Sequence, residues 1–421
     1  MGIGPAVIAA AFVGFALFSR RIERTLITGP MVFVGVGLLI GPELLDIAGG
    51  LGEIGLVDTV LTVTLVIVLF TDASAINSSE WRKDAVLPGR LLGIGLPLTI
   101  VAGWMLALFL VGGLEFWEAA VLGTMLAPTD AALGKAVVSN PRVPQRIRQG
   151  LNVESGLNDG IALPVFVVFL EAAKASEGSL SVLDFFEELV PEVGIAILVG
   201  PLVGWAGARL LRWASAAKLA QHYWLEIAVV ALALLAYALA NEWGGSGFIA
   251  AWFAGLVFGR FCIDSEVETH EFAEATGDAL TMLSFLLFGI VAGTVLTGVT
   301  WQAALYGVLT LAVVRVAAVG VAMFGSGLRP ITVLYLGWFG PRGLATIILT
   351  ISLVDVTNLT GRETITDVAI VTVMMSVIAH GATSWWGSNA YARSVSEQVD
   401  ADQMIEHLAG PTARVPRRAT P

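Results

Sequence analysis

Leu126-Ala127-Pro128-Thr129-Asp130-Ala131 and Glu154-Ser155-Gly156-Leu157-Asn158-Asp159-Gly160 lie in two consecutive hydrophobic segments joined by a short basic loop. The reading of the whole chain turns on their polar residues. A proline followed closely by an acid interrupts the first apolar run. Two carboxylates, a hydroxyl and an amide interrupt the next. An ionisable side chain at the centre of a bilayer costs at least ~2.5 kcal/mol on the mildest scale, so such residues mark a functional site. The other segments are expected to hold and gate it.

Outside these motifs the chain is strongly apolar. Of 421 residues, 56% are hydrophobic and 14% charged, and the mean hydropathy is +0.82. Soluble domains are about 25% charged, and here the apolar residues gather in runs of about twenty, the length of a spanning helix. The expected fold class is an all-α polytopic membrane protein. Residues 1–384 form its membrane domain, and 385–421, which lose the pattern, form a short, mobile cytosolic tail. The net charge of -11 makes no case for a nucleic-acid partner, because the acids sit largely in short loops. One cysteine, Cys262, excludes an internal disulfide. Gly4 to Phe18 has the length of a signal-peptide core, but Arg20, Arg21 and Arg24 follow it instead of preceding it. It reads as a retained first helix with the N-terminus outside.

Thirteen spans are expected near 3–18, 26–41, 54–74, 91–112, 117–138, 150–171, 191–209, 224–240, 246–260, 279–298, 302–324, 331–354 and 365–383. An outer N-terminus puts Arg20, Arg21, Arg24, Arg82, Lys83, Arg90, Arg142, Arg146, Arg148, Arg209, Arg212, Lys218, Arg260, Arg329 and the tail arginines on the inner side. Only Lys174 and Arg362 fall in outer loops, as the positive-inside rule requires. Loops 172–190 and 261–278 are acidic, and Trp81, Trp224 and Trp243 fall at span ends as interfacial anchors. With the seventh span as linker, spans one to six and eight to thirteen form two halves of opposite orientation. The fifth span of each half carries helix breakers, Pro128-Thr129-Asp130 in one and Gly340-Pro341-Arg342-Gly343 in the other. Interrupted segments at matching positions point to a transporter site between inverted repeats.

A proline frees a backbone carbonyl, which in lipid is tolerable only where it is buried in protein or lines a cavity. Two broken helices crossing at mid-depth would turn such groups toward each other. Asp130 could then offset amide ends and Arg342 carbonyl ends. A simple kink would explain Pro128, but not the acid beside it or the arginine in the matching span. In the sixth span Ser155 and Asp159 share a helical face, and Glu154 and Asn158 form the adjacent stripe. Hard monovalent cations take oxygen ligands, which Asp159, Ser155 and the Thr129 region can supply. Asp159 is also the natural proton carrier.

Glu154 and Arg315 fall in the inner halves of their spans and can meet as a buried structural pair, which tolerates desolvation only with good geometry. Lys135, near the end of its span, is expected to snorkel to the interface. Asp72 lies near the inner end of the third span, where it could line an entry to the site or cap a helix. His222, His270, His380 and His407 are scattered and show no metal spacing. No Walker loop, dinucleotide fingerprint or zinc motif occurs, which argues against ATP-driven transport and points to a transporter without cofactor, not an enzyme.

Together Thr129-Asp130, Glu154-Ser155…Asn158-Asp159 and Gly340-Pro341-Arg342-Gly343 resemble the monovalent cation:proton antiporters of the NhaP and eukaryotic sodium–proton exchanger type. The resemblance covers nearly the whole hydrophobic region. It implies thirteen helices in two inverted repeats with two broken, crossing helices. It also implies a homodimer in the bilayer and alternating access by a core moving against a dimerisation domain. By the same resemblance Asp159 binds the ion and the proton, with Asn158, Thr129, Ser155 and Asp130 around it. Sodium would sit at Asp159, Ser155 and Thr129. Asp72 matches an acid that contributes to the site, Glu154 and Arg315 a membrane-buried ion pair, and Arg342 the charge-compensating arginine of the crossing. Ala131 departs from the pattern, since many relatives carry proline there.

The expected activity is therefore secondary active exchange of sodium or lithium for protons across a bacterial inner membrane, with the C-terminus cytoplasmic. Electrogenic relatives carry a second acid just before the essential aspartate. Here that position is Asn158, so exchange should be one-for-one. Potassium is the near alternative, because the sequence specifies ligand type but not cavity size. A cation channel is the alternative of another class. It needs an open pore lined by multiple weak sites, where this chain offers one compact polar cluster. An organic-anion symporter fits a net acidic site less well.

Overall fold

In hydrocarbon only a helix or a closed barrel satisfies every backbone donor and acceptor, and this chain uses helices. The computed structural model describes residues 3–22, 25–75, 85–177, 182–262, 271–353, 356 and 359–396. Arg24, Trp81, Arg82, Lys83, His270, His407 and the tail beyond residue 396 lie outside the described residues. The first four helices are α1 (Gly4–Ile22), α2 (Gly29–Ile40), α3 (Ile54–Ser74) and α4 (Val86–Leu110). After α5 (Phe116–Met125) and α6 (Ala131–Val138) come α7 (Gln145–Glu177), α8 (Val182–Ala216), α9 (His222–Glu242) and α10 (Gly247–Cys262). The chain continues through α11 (Glu271–Leu296), α12 (Trp301–Ala322), α13 (Pro330–Trp338), α14 (Leu344–Ser352) and α15 (Arg362–Ser396). Among the described residues there is no strand, and nine helices are long and apolar enough to cross a membrane. α2 and α10 are shorter apolar helices. The chain is a multi-pass membrane protein.

Two segments are interrupted. The run of α5 breaks over Leu126–Asp130 before resuming as α6, and that of α13 breaks over Phe339–Gly343 before resuming as α14. The expected fifth and twelfth spans are thus each a pair of half-helices. Two other helices stay continuous but pass through one π-helical turn, Leu91–Gly95 in α4 and Thr310–Val314 in α12. Pro88 and Pro97 flank the first turn, whereas α12 contains no proline.

Several helices run beyond their expected limits. The outer loop expected over 172–190 is mostly helix, since α7 runs to Glu177 and α8 starts at Val182. α11 begins at Glu271, inside the loop expected over 261–278. α15 continues past residue 383 to Ser396, where Tyr391 and Val395 are buried and Tyr391 hydrogen-bonds Thr332 of α13 (3.0 Å). Apolar side chains also cover the outside of the bundle. Phe109 and Phe324 are each 88% exposed, a surface suited to hydrocarbon instead of water.

Candidate functional site

The two interruptions face each other, and two charged side chains join them. Asp130 is the N-cap of α6, its Oδ1 accepting from the Leu133 amide (3.0 Å). Its Oδ2 accepts from the amide of Leu344, the first residue of α14 (2.5 Å). One carboxylate therefore caps two helix N-termini, where unpaired amides and the macrodipole favour an anion. The Asp130 amide donates to the Pro341 carbonyl (2.8 Å), tying break to break. Arg342 serves the opposite polarity. Its Nη1 donates to the carbonyls of Ala127 (2.5 Å) and Pro128 (2.9 Å), just beyond the C-terminal end of α5. Thr346 Oγ1 donates to a third carbonyl there, that of Met125 (2.7 Å).

The glycines of Gly340-Pro341-Arg342-Gly343 make room for this. A Cβ on Gly343 would collide with the Asp130 carboxylate, and one on Gly340 would lie 2.6 Å from Arg315 Nε. Ala131 simply opens α6 behind the Asp130 cap, so the first interruption needs only Pro128.

Beside the crossing, α7 presents its polar stripe. Asn158 Nδ2 donates to Thr129 Oγ1 (2.6 Å) and approaches the Thr129 carbonyl (3.4 Å), and Thr129 Oγ1 shares a hydrogen bond with Ser155 Oγ (3.1 Å). Asp159, one residue on, has Asp130 and Asp72 as charged neighbours, and its buried Oδ1 takes no hydrogen bond from the protein. A small cavity is bounded by Pro128, Thr129, Asp130, Asp159, Gly343 and Thr346. A second is lined by Asp130, Gly134, Asn152, Ser155 and Pro341 among others, so Asp130 borders both. Hydroxyls, carbonyl oxygens and a carboxylate form an all-oxygen donor set, suited to a hard cation. The carboxylate can take a proton instead.

The other expected residues take distinct places. Arg315 follows the π-turn of α12 directly. Its Nη2 donates to Glu154 Oε2 (2.7 Å) and lies 2.6 Å from Oε1, with both residues 1% exposed. Asp72 lies against Gly156, whose added Cβ would stand 3.5 Å from that of Asp72. α3 thus delivers this acid to the turn of α7 between Ser155 and Asp159. Lys135 does not merely snorkel: it forms an ion pair with Asp278 of α11, in an exposed position.

Sequence reasoning missed three contributors. Ser376 Oγ accepts from the Arg342 amide (2.7 Å), and His380 Nε2 meets the Trp338 carbonyl (2.9 Å). Both belong to α15, and their spacing of one helical turn within an apolar run was the available signal. The third is Glu118, fully buried in the first turn of α5, which accepts from the amides of Glu115 (2.8 Å) and Gly361 (2.5 Å). It anchors the outset of the first interrupted helix to the turn before α15.

Two crossed, interrupted helices with reciprocal charged caps beside a polar helix define a class of membrane ion-transport domain. The chain belongs to the sodium/hydrogen exchanger family, whose transmembrane model matches residues 7–386. The K(+)/H(+) antiporter NhaP2 of Shewanella sp. (strain ANA-3) is 25% identical over 90% of this chain and 64% of that protein. The K(+)/H(+) antiporter NhaP of Alkalimonas amylolytica is 23% identical over 91% and 64%. The Na(+)/H(+) antiporter 2 of Zygosaccharomyces rouxii is 24% identical over 88% and 50%. The chain thus spans less than two thirds of the length of these relatives. Among solved structures, the sodium proton antiporter MjNhaP1 from Methanocaldococcus jannaschii at pH 8 matches with a TM-score of 0.74. It is 19% identical and aligns over 94% of this chain and 98% of that chain. At that identity the likeness is one of fold.

Proposed function

We propose that this chain exchanges a monovalent cation for a proton by alternating access at Asp159. One observation carries the reading: Asp159 Oδ1 is buried at the crossing without a protein hydrogen bond, beside the Thr129–Ser155–Asn158 cluster. Asp130 is held by two helix N-termini and Glu154 by Arg315. Of the two acids on the polar stripe of α7, Asp159 is the one left to hold the transported species, with Ser155 and Thr129 as further oxygen ligands, Asn158 behind them and Asp72 at the entry. Asn158 is neutral, so one proton or one cation occupies the site at a time and exchange is one-for-one. Sodium, with lithium, is the first reading of the cation. Potassium is the second, favoured by what the two bacterial relatives are named for.

The wider reading is of thirteen crossings in two inverted halves, with N-terminus outside and C-terminus in the cytoplasm of a bacterial cell. Residues 1–384 would be the membrane domain, assembled as a homodimer. Breaks at the fifth and twelfth segments and π-turns at the fourth and eleventh support it, because they fall at matching places in the two halves.

Proton flux in proteoliposomes containing a pH-sensitive dye tests the proposal. Sodium or lithium should dissipate an imposed pH gradient with the parent protein. Asp159→Asn should abolish the response while the recovered, folded protein stays near parental amount. Cation-driven flux retained in Asp159→Asn would refute the assignment. A response to potassium alone would transfer the substrate to the second reading.

A further inference from the structure

In an unbroken helix the Arg342 amide would donate to the carbonyl four residues back, which is that of Trp338. The second interruption severs this bond. A severed pair buried away from water needs other partners, and α15 supplies both of them. The Arg342 amide donates to Ser376 Oγ (2.7 Å), Ser376 Oγ lies 3.1 Å from His380 Nδ1, and His380 Nε2 lies 2.9 Å from the Trp338 carbonyl. Ser376 and His380 are respectively 0% and 1% exposed. The Trp338 carbonyl also receives the Gly340 amide (2.9 Å), within the two acceptor positions a carbonyl has.

This bridge is the end of a longer seam. Thr383 Oγ1 accepts from Trp338 Nε1 (3.0 Å), Ser388 Oγ pairs with Tyr335 (3.1 Å), and Tyr391 pairs with Thr332 (3.0 Å). Those three contacts fasten α15 to α13 alone. Ser376 and His380 instead join the last residue of α13 to the interruption itself, through the Trp338 carbonyl and the Arg342 amide.

We propose that Ser376 and His380 are positioning residues: they replace the severed helical bond with a side-chain bridge. In doing so they set where the Arg342 guanidinium and the Leu344 amide stand relative to the carbonyls of α5 and to Asp130. A carbonyl only accepts, so the bridge requires a proton on His380 Nε2; Nδ1, which lies 3.1 Å from Ser376 Oγ and 3.0 Å from the Ser376 carbonyl, then accepts from the Ser376 hydroxyl. The inference rests on the exchange reading for its transport readout, and on the hydrogen bonds alone for its spectroscopic one.

The test compares Ser376→Ala and His380→Leu with His380→Gln, which keeps a donor, and with Tyr335→Phe. The last removes an equally buried α13–α15 hydrogen bond away from the break. Proton flux against sodium and against potassium gives the half-saturating concentration, and melting temperature gives stability. Ser376→Ala and His380→Leu should raise the half-saturating concentration at least fivefold, while His380→Gln and Tyr335→Phe stay within twofold of the parent. Equal effects of Ser376→Ala and Tyr335→Phe would reduce the bridge to ordinary packing and overturn the proposal. Independently of transport, ¹⁵N NMR of histidine-labelled parent, assigned by difference with His380→Gln, should show Nε2 protonated. A bare Nε2 overturns the proposal even if every variant fails to fold. A parent without cation-driven flux would refute the exchange reading, and the nitrogen signature would then decide the bridge alone.

Discussion

Glu154 and Arg315 differ from Asp159 although all three sit within a turn or two of the crossing. Each of the pair has its opposite charge within 2.7 Å and almost no exposure, so each compensates the other's desolvation. Removing one leaves the other buried and uncompensated, which costs about 3–5 kcal/mol. Glu154→Ala and Arg315→Ala should therefore lower the melting temperature and the yield of the detergent-purified protein. A double-mutant cycle should show that losing both costs less than the sum of the single losses. Two single variants as stable as the parent would mean the contact contributes nothing. The acids were legible in the sequence because charge in an apolar run is costly enough to demand a reason. Ser376 was not, since a serine in a membrane helix can bond its own backbone and needs no distant partner. The partner of Lys135 was hidden differently: Asp278 reads as a loop residue until α11 is seen to begin at Glu271.

At the level of elements, the two interruptions were readable and the two π-turns were not. Pro128 and Gly340-Pro341 cannot continue a helix without loss of backbone bonds, so the breaks announce themselves. Thr310–Val314 is an ordinary apolar stretch that holds one extra residue in its turn, with no breaker to mark it. The turn takes up its extra residue without rotating the α-helical parts on either side, and Arg315 is the next residue along. Deleting Val313 should therefore restore α-helical winding and leave Arg315 on the face that meets Glu154. The deletion should lower the melting temperature less than Arg315→Ala in the same thermal assay. A deletion variant destabilised as much as Arg315→Ala would show that the wide turn itself is needed to place this arginine.

For the molecule as a whole, the caps at the crossing have an electrical consequence. A helix end carries about half an elementary charge. Asp130 meets two N-terminal ends, and Arg342 meets the C-terminal end of α5. Glu154 and Arg315 cancel. On the proposed reading Asp159 is the acid that changes occupancy, taking either a proton or a monovalent cation, while Asp72 keeps one state throughout, so the loaded centre is expected to carry the same charge in both directions. One net charge crossing the full field would exchange ~2.3 kcal/mol per 100 mV with the membrane potential; this centre would exchange none. With the potential clamped by a potassium ionophore, sodium/proton exchange should run at the same rate at 0 mV as at a clamp of about -100 mV. A rate or end point that tracks the clamp would mean a second carboxylate changes occupancy, with Asp130 the first to suspect. If the rate holds, the voltage does no work on this protein, and the direction of exchange is set by two concentration ratios alone.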